Sequence, residues 1–384
     1  MMLALLMAVA FEKIALIDTF DFARICDIEK KSGCDFMLEH IERTGANVMA
    51  WRNQTGGRPR YRSGQEMHPL AEMPFSKLRI PESRPGFSWL NLDRGEEDLL
   101  TYPFRITAAH GELPAVHLTT EENHYFSFTF STWVLEHPEY WCVMGNGVPW
   151  PGHAAFSFDE EIVHRVKLLD EILDRGAKLV YLGTERQGGY GPRFEYTKPS
   201  IARWRETYGC EPPTDWKDPR WVKHCGHYME RFVKAMARRC HQRGVRFLLG
   251  TRNIGLGYDE TVDQYGLDWP RLCAEGEVDG VVFPRIDFRK GQDGVDPWEA
   301  TDRVYAKVAA QCGKADVYFS VNAYPGTIKN GFGSYAEQTG LSKGECAKRL
   351  LELAKKRGAK GVVLVVVDYN NYPDDVCKAI REFE

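Results

Sequence analysis

The sequence predicts a single (β/α)8 TIM barrel, an α/β fold. Three observations predict it: a helix-end junction that recurs four times, eight short apolar strands set among amphipathic stretches, and connections that are tight before the strands but long after several of them. The junction is a basic residue, then glycine, then an apolar run. It occurs at Arg43 with Gly45, Arg175 with Gly176, Arg243 with Gly244, and Arg357 with Gly358. A cation in the last helical turn favours the negative end of the helix dipole, and glycine takes the left-handed conformation that stops a helix. A short apolar strand that follows at once is buried on both faces, as parallel strands are.

Taken in order, the first strand is expected at 13–18 (KIALID) and the second at 46–51 (ANVMAW), directly after the first junction. The third is 113–119 (LPAVHLT), followed by an amphipathic stretch at 159–175. The fourth, 178–184 (KLVYLGT), follows the second junction, and a helical pattern at 219–243 leads to the fifth, 245–251 (VRFLLGT). The sixth is 278–284 (VDGVVFP), with a helix expected at 296–312, and the seventh is 315–321 (ADVYFSV). A last amphipathic stretch, 342–357, runs into the eighth strand, 360–367 (KGVVLVVV). Strand–helix alternation implies parallel strands with right-handed crossovers, and eight units close a ring. An open doubly wound sheet is the competing architecture. The glycine-rich phosphate fingerprint expected after its first strand is missing, since 18–24 reads DTFDFAR.

The connections after strands 2, 3 and 4 are long, about 52–95, 120–158 and 185–218. In a barrel all three belong to the C-terminal face, where active sites are built. A chain of 384 residues suits one such domain, expected over 11–384, and 43% hydrophobic residues can fill its core. A net charge of −4 and a pI near 6.3 give no reason to expect nucleic acid as a partner. The ten cysteines include no C-x-x-C pair, which argues against zinc ribbons and thioredoxin-type motifs. His224 and His227 have i, i+3 helical spacing but no evident third ligand. Neither a cofactor nor a metal is expected. The first ten residues, MMLALLMAVA, are apolar and end in an A-x-A-like pattern, so they fit a signal-peptide remnant or simply an apolar first segment. Export to the periplasm or outside is the expectation, with the cytoplasm as the alternative, and no membrane span is expected because the stretch is too short and no other run is apolar enough.

The long connections carry many aromatics: Trp133, Tyr140, Trp141 and Trp150 in one, and Tyr190, Phe194, Tyr196, Trp204, Tyr208 and Trp216 in or near another. Aromatic rings stack on the C–H faces of sugars, although most of these rings are expected to pack the loops onto the barrel. Polar residues follow nearly every strand: Asp18, Arg52, Glu122 with His124, Glu185 with Arg186, Arg252 with Asn253, Arg285 with Asp287, Asn322 with Tyr324, and Asp368 with Asn370. Glu185 directly follows an apolar strand, where partial burial would raise its pKa and suit it to general-acid work; an ion pair with a neighbouring arginine is the alternative. Glycoside hydrolysis generally needs a second carboxylate. Asp287 is the first choice, with Asp368 and Glu122 behind it. Arg52, Glu122, His124, Trp141, Arg186, Tyr190, Arg252, Asn253, Arg285, Asn322 and Tyr324 are the candidate substrate contacts. The arginines among them suit an acidic sugar.

Several segments resemble the bacterial glycosyl hydrolase-like barrel family of the glycosyl hydrolase-like 10 type. They are 137–141 (HPEYW), 156–163 (FSFDEEIV), 180–186 (VYLGTER), 243–246 (RGVR), 265–269 (YGLDW) and 278–284 (VDGVVFP). The resemblance implies a (β/α)8 fold and action on glycans. The chain departs from such families in two places. Its fourth strand, LVYLG at 179–183, lacks their aspartate-bearing run, and its seventh ends in Asn322 in place of a nucleophilic glutamate. Three activities therefore stay open: a glycoside hydrolase of poly- or oligosaccharides, a degenerate barrel that binds glycans without cleaving them, and a metal-dependent hydrolase or lyase using His117, His124, Glu122 and Asp368.

Overall fold

The computed structural model describes residues 11–18, 22, 25–27, 30–52, 54–55, 58–59, 61, 63–65, 97–120, 131–184, 191–251, 266–283, 296–322, 332–365 and 372–384. Eight parallel strands form a closed barrel. They are β1 (Glu12–Ile17), β2 (Val48–Arg52), β3 (Leu113–Thr119), β4 (Leu179–Gly183), β5 (Arg246–Gly250), β6 (Gly280–Phe283), β7 (Asp316–Asn322) and β8 (Gly361–Val365). Each is followed by a barrel helix: α1 (Lys31–Glu42), α2 (Thr101–Ala109), α3 (Asp159–Asp174), α4 (Pro219–Gln242), α5 (Trp269–Ala274), α6 (Pro297–Ala309), α7 (Lys343–Lys356) and α8 (Asp374–Arg381). All eight expected strands are present and neighbour one another in chain order, with β1 pairing β8 to close the ring. The apolar segment 1–10 lies outside the described residues.

Local chemistry accounts for the element boundaries. Gly45, Gly176, Gly244 and Gly358 are all left-handed, as the junction pattern requires. Gly45 is doubly constrained, since a Cβ there would also lie 2.9 Å from the Cα of Arg381. The helices start on side-chain caps. Asp218 accepts from the amide of Arg220, Asp296 from those of Trp298 and Glu299, and Ser342 forms a reciprocal box with Glu345. α4 buries Cys225, Tyr228, Met229, Phe232, Val233, Met236, Ala237 and Cys240, a stripe at i, i+3, i+4 spacing that faces the sheet.

The core has two parts. Outward-facing strand residues such as Met49, Trp51, Val116, Leu182, Phe247 and Phe319 pack against the helices. The Trp51 indole N–H also donates to Thr107 Oγ1 of α2 at 2.9 Å. Inward-facing residues fill the ring: Ile14, Leu16, Val48, Ala50, Ala115, Leu179, Tyr181, Leu248, Val282, Tyr318 and Val363. At the N-terminal end a polar plug closes it. Arg246 donates to both carboxylate oxygens of Glu12 at 3.0 and 3.2 Å, and the Tyr318 hydroxyl donates to Glu12 at 2.9 Å. The seam between β1 and β8 is reinforced by Lys13 Nζ donating to Arg381 O at 3.3 Å, by an Arg43–Asp374 ion pair, and by the Phe11 ring set edge-on to Phe383.

None of the ten cysteines is bonded to another, and eight of them are buried among apolar side chains. His224 is buried beside Trp204, Trp221 and Tyr228, with its Nε2 3.0 Å from Ser200 O. Burial holds its pKa down to about 4, so it is a neutral core residue. No described helix is long and apolar enough to cross a membrane.

Candidate active site

Side chains alternate along a strand, so the inward series continues from the aliphatic core to the C-terminal end of each strand. On β1 it runs Ile14, Leu16, Asp18; on β2, Val48, Ala50, Arg52; on β3, Ala115, His117, Thr119; on β7, Tyr318 and then Ser320. The inward layer thus turns polar at the end where enzymes of this fold do chemistry. Arg52 Nη1 donates to Asp18 Oδ2 at 2.5 Å, and the two side chains are only 2% and 9% exposed. The His117 ring stacks on Tyr181, centroids 5.1 Å apart. Gly250 makes room for that tyrosine, since a Cβ there would lie 2.5 Å from its hydroxyl. Ser320 Oγ and Thr251 Oγ1 are buried and have no hydrogen-bond partner among the described residues.

Two of the long connections are described in large part. After β3 come a short helix (Thr132–Glu136), capped by Ser131, and an antiparallel pair, Trp141–Val143 with Pro149–Ala154. The Trp141 indole N–H donates to Val134 O at 2.7 Å and fastens that pair to the helix. At the base of the connection, Arg165 of α3 forms a buried ion pair with Glu161 and donates to Thr120 O. After β4 comes a helix over Lys198–Tyr208, which Thr197 caps by accepting from the Ser200 amide. The sequence pattern marks this stretch only as part of a long connection.

The aromatics divide into two groups. Tyr196, Trp204 and Trp221 are buried together and pack the β4 connection onto α4. Trp150 lies against Phe194, centroids 5.1 Å apart. Trp133 and Tyr140 are half-buried instead, in a stack in which the Trp133 ring lies parallel to His164 at 4.3 Å and to Tyr140 at 5.6 Å. Trp141 is also half-buried, so these three rings keep surface that a sugar could use.

Glu195, which sequence reasoning missed, is a carboxylate sealed into the β4 connection. The backbone N–H of Ser157 donates to its Oε1 at 3.2 Å, while Ser157 Oγ lies 2.7 Å from Thr197 Oγ1. Burial pushes its pKa up to about 7, against the opposing pull of the Ser157 hydrogen bond. A lone acid inside 192–197 (PRFEYT), flanked by aromatics, was the one signal for it in the sequence.

Of the sequence-predicted site residues, the structure joins Arg52 to Asp18 and places Trp141 on the hairpin after β3. Asn322 is the last residue of β7, in register with Val365. Glu122, His124, Glu185, Arg186, Tyr190, Arg252, Asn253, Arg285, Asp287, Tyr324 and Asp368 lie outside the described residues.

With this architecture in view, solved structures show what the chain is built like. The catalytic domain of β-amylase from Paenibacillus polymyxa superposes with a TM-score of 0.61 at 10% identity, covering 97% of both chains. The PgaB (BpsB) glycoside hydrolase domain from Bordetella bronchiseptica superposes at 0.60 with 12% identity, over 97% of this chain and 98% of that one. A chitinase from Chromobacterium violaceum matches at 0.51 with 10% identity, again over 97% and 98%. This chain shares their fold. No protein-family model matches it, and no curated protein matches it in sequence.

Proposed function

We propose that the chain is a glycoside hydrolase that takes a poly- or oligosaccharide at the C-terminal mouth of the barrel. The observation that carries this is the polar inward layer, Asp18, Arg52, His117, Thr119 and Ser320, lying on an aliphatic barrel core beneath connections that hold half-buried aromatic rings. The barrels it superposes on, a β-amylase, a glycoside hydrolase domain and a chitinase, support the same reading. Glu185 follows the last residue of β4 by two positions, Asp287 follows β6 by four, and Asp368 follows β8 by three. In this proposal Glu185 protonates the leaving oxygen. Asp287 or Asp368 acts as nucleophile or as base for water, according to their separation. The closed Asp18–Arg52 pair shapes the floor of the site, and Arg252 and Arg285 orient hydroxyls or a uronate. Glu185→Gln should lower turnover by roughly a hundredfold or more while leaving glycan binding in place. The measurement is reducing-end release across a panel of neutral and acidic glycans, and near-normal release by the variant refutes the assignment.

One observation favours a second reading. β7 ends in an amide, Asn322, where a retaining barrel would carry its nucleophile. A barrel that holds glycans without cleaving them would bind on a glycan array yet release no reducing ends from the same sugars.

A further inference from the structure

Away from the mouth, two thiols from consecutive units of the barrel meet. Cys273 lies in the last turn of α5, and Cys312 follows the end of α6 by three residues. The strands that follow, β6 and β7, pair in register at their feet, Gly280 with Asp316, so the two helix ends come down side by side. Their backbones approach closely, since a Cβ on Gly313 would lie 3.9 Å from the Cα of Ala274. Cys312 Sγ donates to Val308 O at 3.3 Å, and the Cys273 thiol hydrogen-bonds to Cys312. Both side chains are buried in the apolar core, at 2% and 1% exposure. A disulfide needs two adjacent backbones whose cysteine side chains point at each other, and this pair meets that need.

We propose that Cys273 and Cys312 are a disulfide site, closed by a disulfide oxidant while the chain folds, that staples the end of α5 to the end of α6. The thiolate of one cysteine attacks a sulfur of the oxidant, forming a mixed disulfide and releasing one thiol. The thiolate of the other cysteine then displaces the oxidant's second sulfur. Each cysteine gives up its proton, the two electrons pass to the oxidant, and the oxidant leaves as two thiols. The step belongs to folding and not to the finished barrel. In the folded chain both sulfurs are shut away from reagents, and the neighbouring Cys312 thiol, together with burial, holds Cys273 protonated. The same burial shields the finished bond from reductants. The bond closes a loop of about 40 residues that contains β6 and α6, so it stabilises by restraining the unfolded chain.

The test produces the full-length chain in two bacterial hosts, one with a reducing cytoplasm and one with an oxidising cytoplasm. Free thiols are blocked with iodoacetamide in denaturant, and the chain is cut with trypsin without reduction. Each cysteine falls in its own tryptic peptide, 272–285 for Cys273 and 308–314 for Cys312. The expected result is these two peptides linked to each other, in the chain from the oxidising host only. The oxidised chain should also melt about 2–5 °C above the reduced one. A double variant, Cys273→Ala with Cys312→Ala, should lose that difference and melt alike from both hosts. The linked peptides are read on the parent chain, so they decide the matter even where the double variant fails to fold. Both peptides recovered singly and alkylated from the oxidising host, or either one linked to a different cysteine, overturns the proposal.

Discussion

Replacing Glu195 by glutamine should remove a pH dependence of stability that this carboxyl gives the folded chain. Burial lifts its pKa from an ordinary 4.5 to about 7. Between those values the folded protein keeps the proton while the unfolded chain gives it up. The group's contribution is therefore fully present below pH 4.5 and is lost as pH rises through about 7. At about 1.36 kcal/mol per pKa unit, the loss between pH 5 and pH 8 is roughly 2–3 kcal/mol. Glutamine keeps the shape, and its amide oxygen can still accept from the Ser157 N–H, but it does not titrate. Urea unfolding of both proteins at pH 5 and pH 8 supplies the comparison, with the slopes checked for equality. His224, held neutral to about pH 4, has the opposite sign: its contribution is present above 6.5 and is lost as pH falls through about 4. It is common to both proteins and cancels. The glutamine variant should be the more stable of the two at pH 8. An identical pH 5-to-8 change in the two proteins would refute the reasoning.

Two glycines should rank by the space around them. A Cβ at Gly361 would lie 2.1 Å from Glu12 O, so Gly361→Ala should cost roughly 1–3 kcal/mol or more through overpacking at the seam. A Cβ at Gly176 meets nothing within 4 Å, so Gly176→Ala should cost only about 1–2 kcal/mol, for its left-handed backbone. Thermal midpoints in the reverse order would contradict the packing argument. Asp18→Asn takes the carboxylate from a buried guanidinium and should destabilise by roughly 3–5 kcal/mol, whereas adding Arg52→Met should recover much of that loss. Denaturant titration of the single and double variants checks it, and a single variant as stable as the parent would exclude a buried ionic pair.

The barrel was legible because its signals are local. Alternating apolar runs, glycine stops and amphipathic helices each depend on a few adjacent residues, and four of the eight junctions repeat almost verbatim. Strand ends are marked less sharply. The sixth strand was expected from 278, but it starts at Gly280. Asp279, just before it, still bonds both neighbouring strands through its backbone, donating to Phe247 O and accepting from the Asp316 amide, while its carboxylate accepts from the Phe247 amide at 2.7 Å. The site was less legible, because its contacts are set by register and by packing between distant segments. From the sequence Arg52 reads as a candidate substrate contact. It meets Asp18 because Ile17 and Trp51 pair in register, which puts both following side chains inside the ring. Glu195 carries no local signal of burial, because only the packing of two connections shuts it away from water. Most of the aromatics are expected from the sequence to pack the loops, yet nothing in it separates Trp204, which is fully buried, from Trp133, which is half-buried.

The seam joining β1 to β8 has a consequence for how the chain is made. Seven strands can pair with a neighbour as they leave the ribosome, but the first keeps one open edge until the eighth is released. Until then the unfinished sheet exposes a row of unmet amides and carbonyls, the surface on which nascent chains stick to each other. Closure is also the contact of longest sequence separation in the ring, so it should come late and slowly. Joining residues 11 and 384 by a short linker, and opening the chain elsewhere, would turn the slowest contact into the most local one.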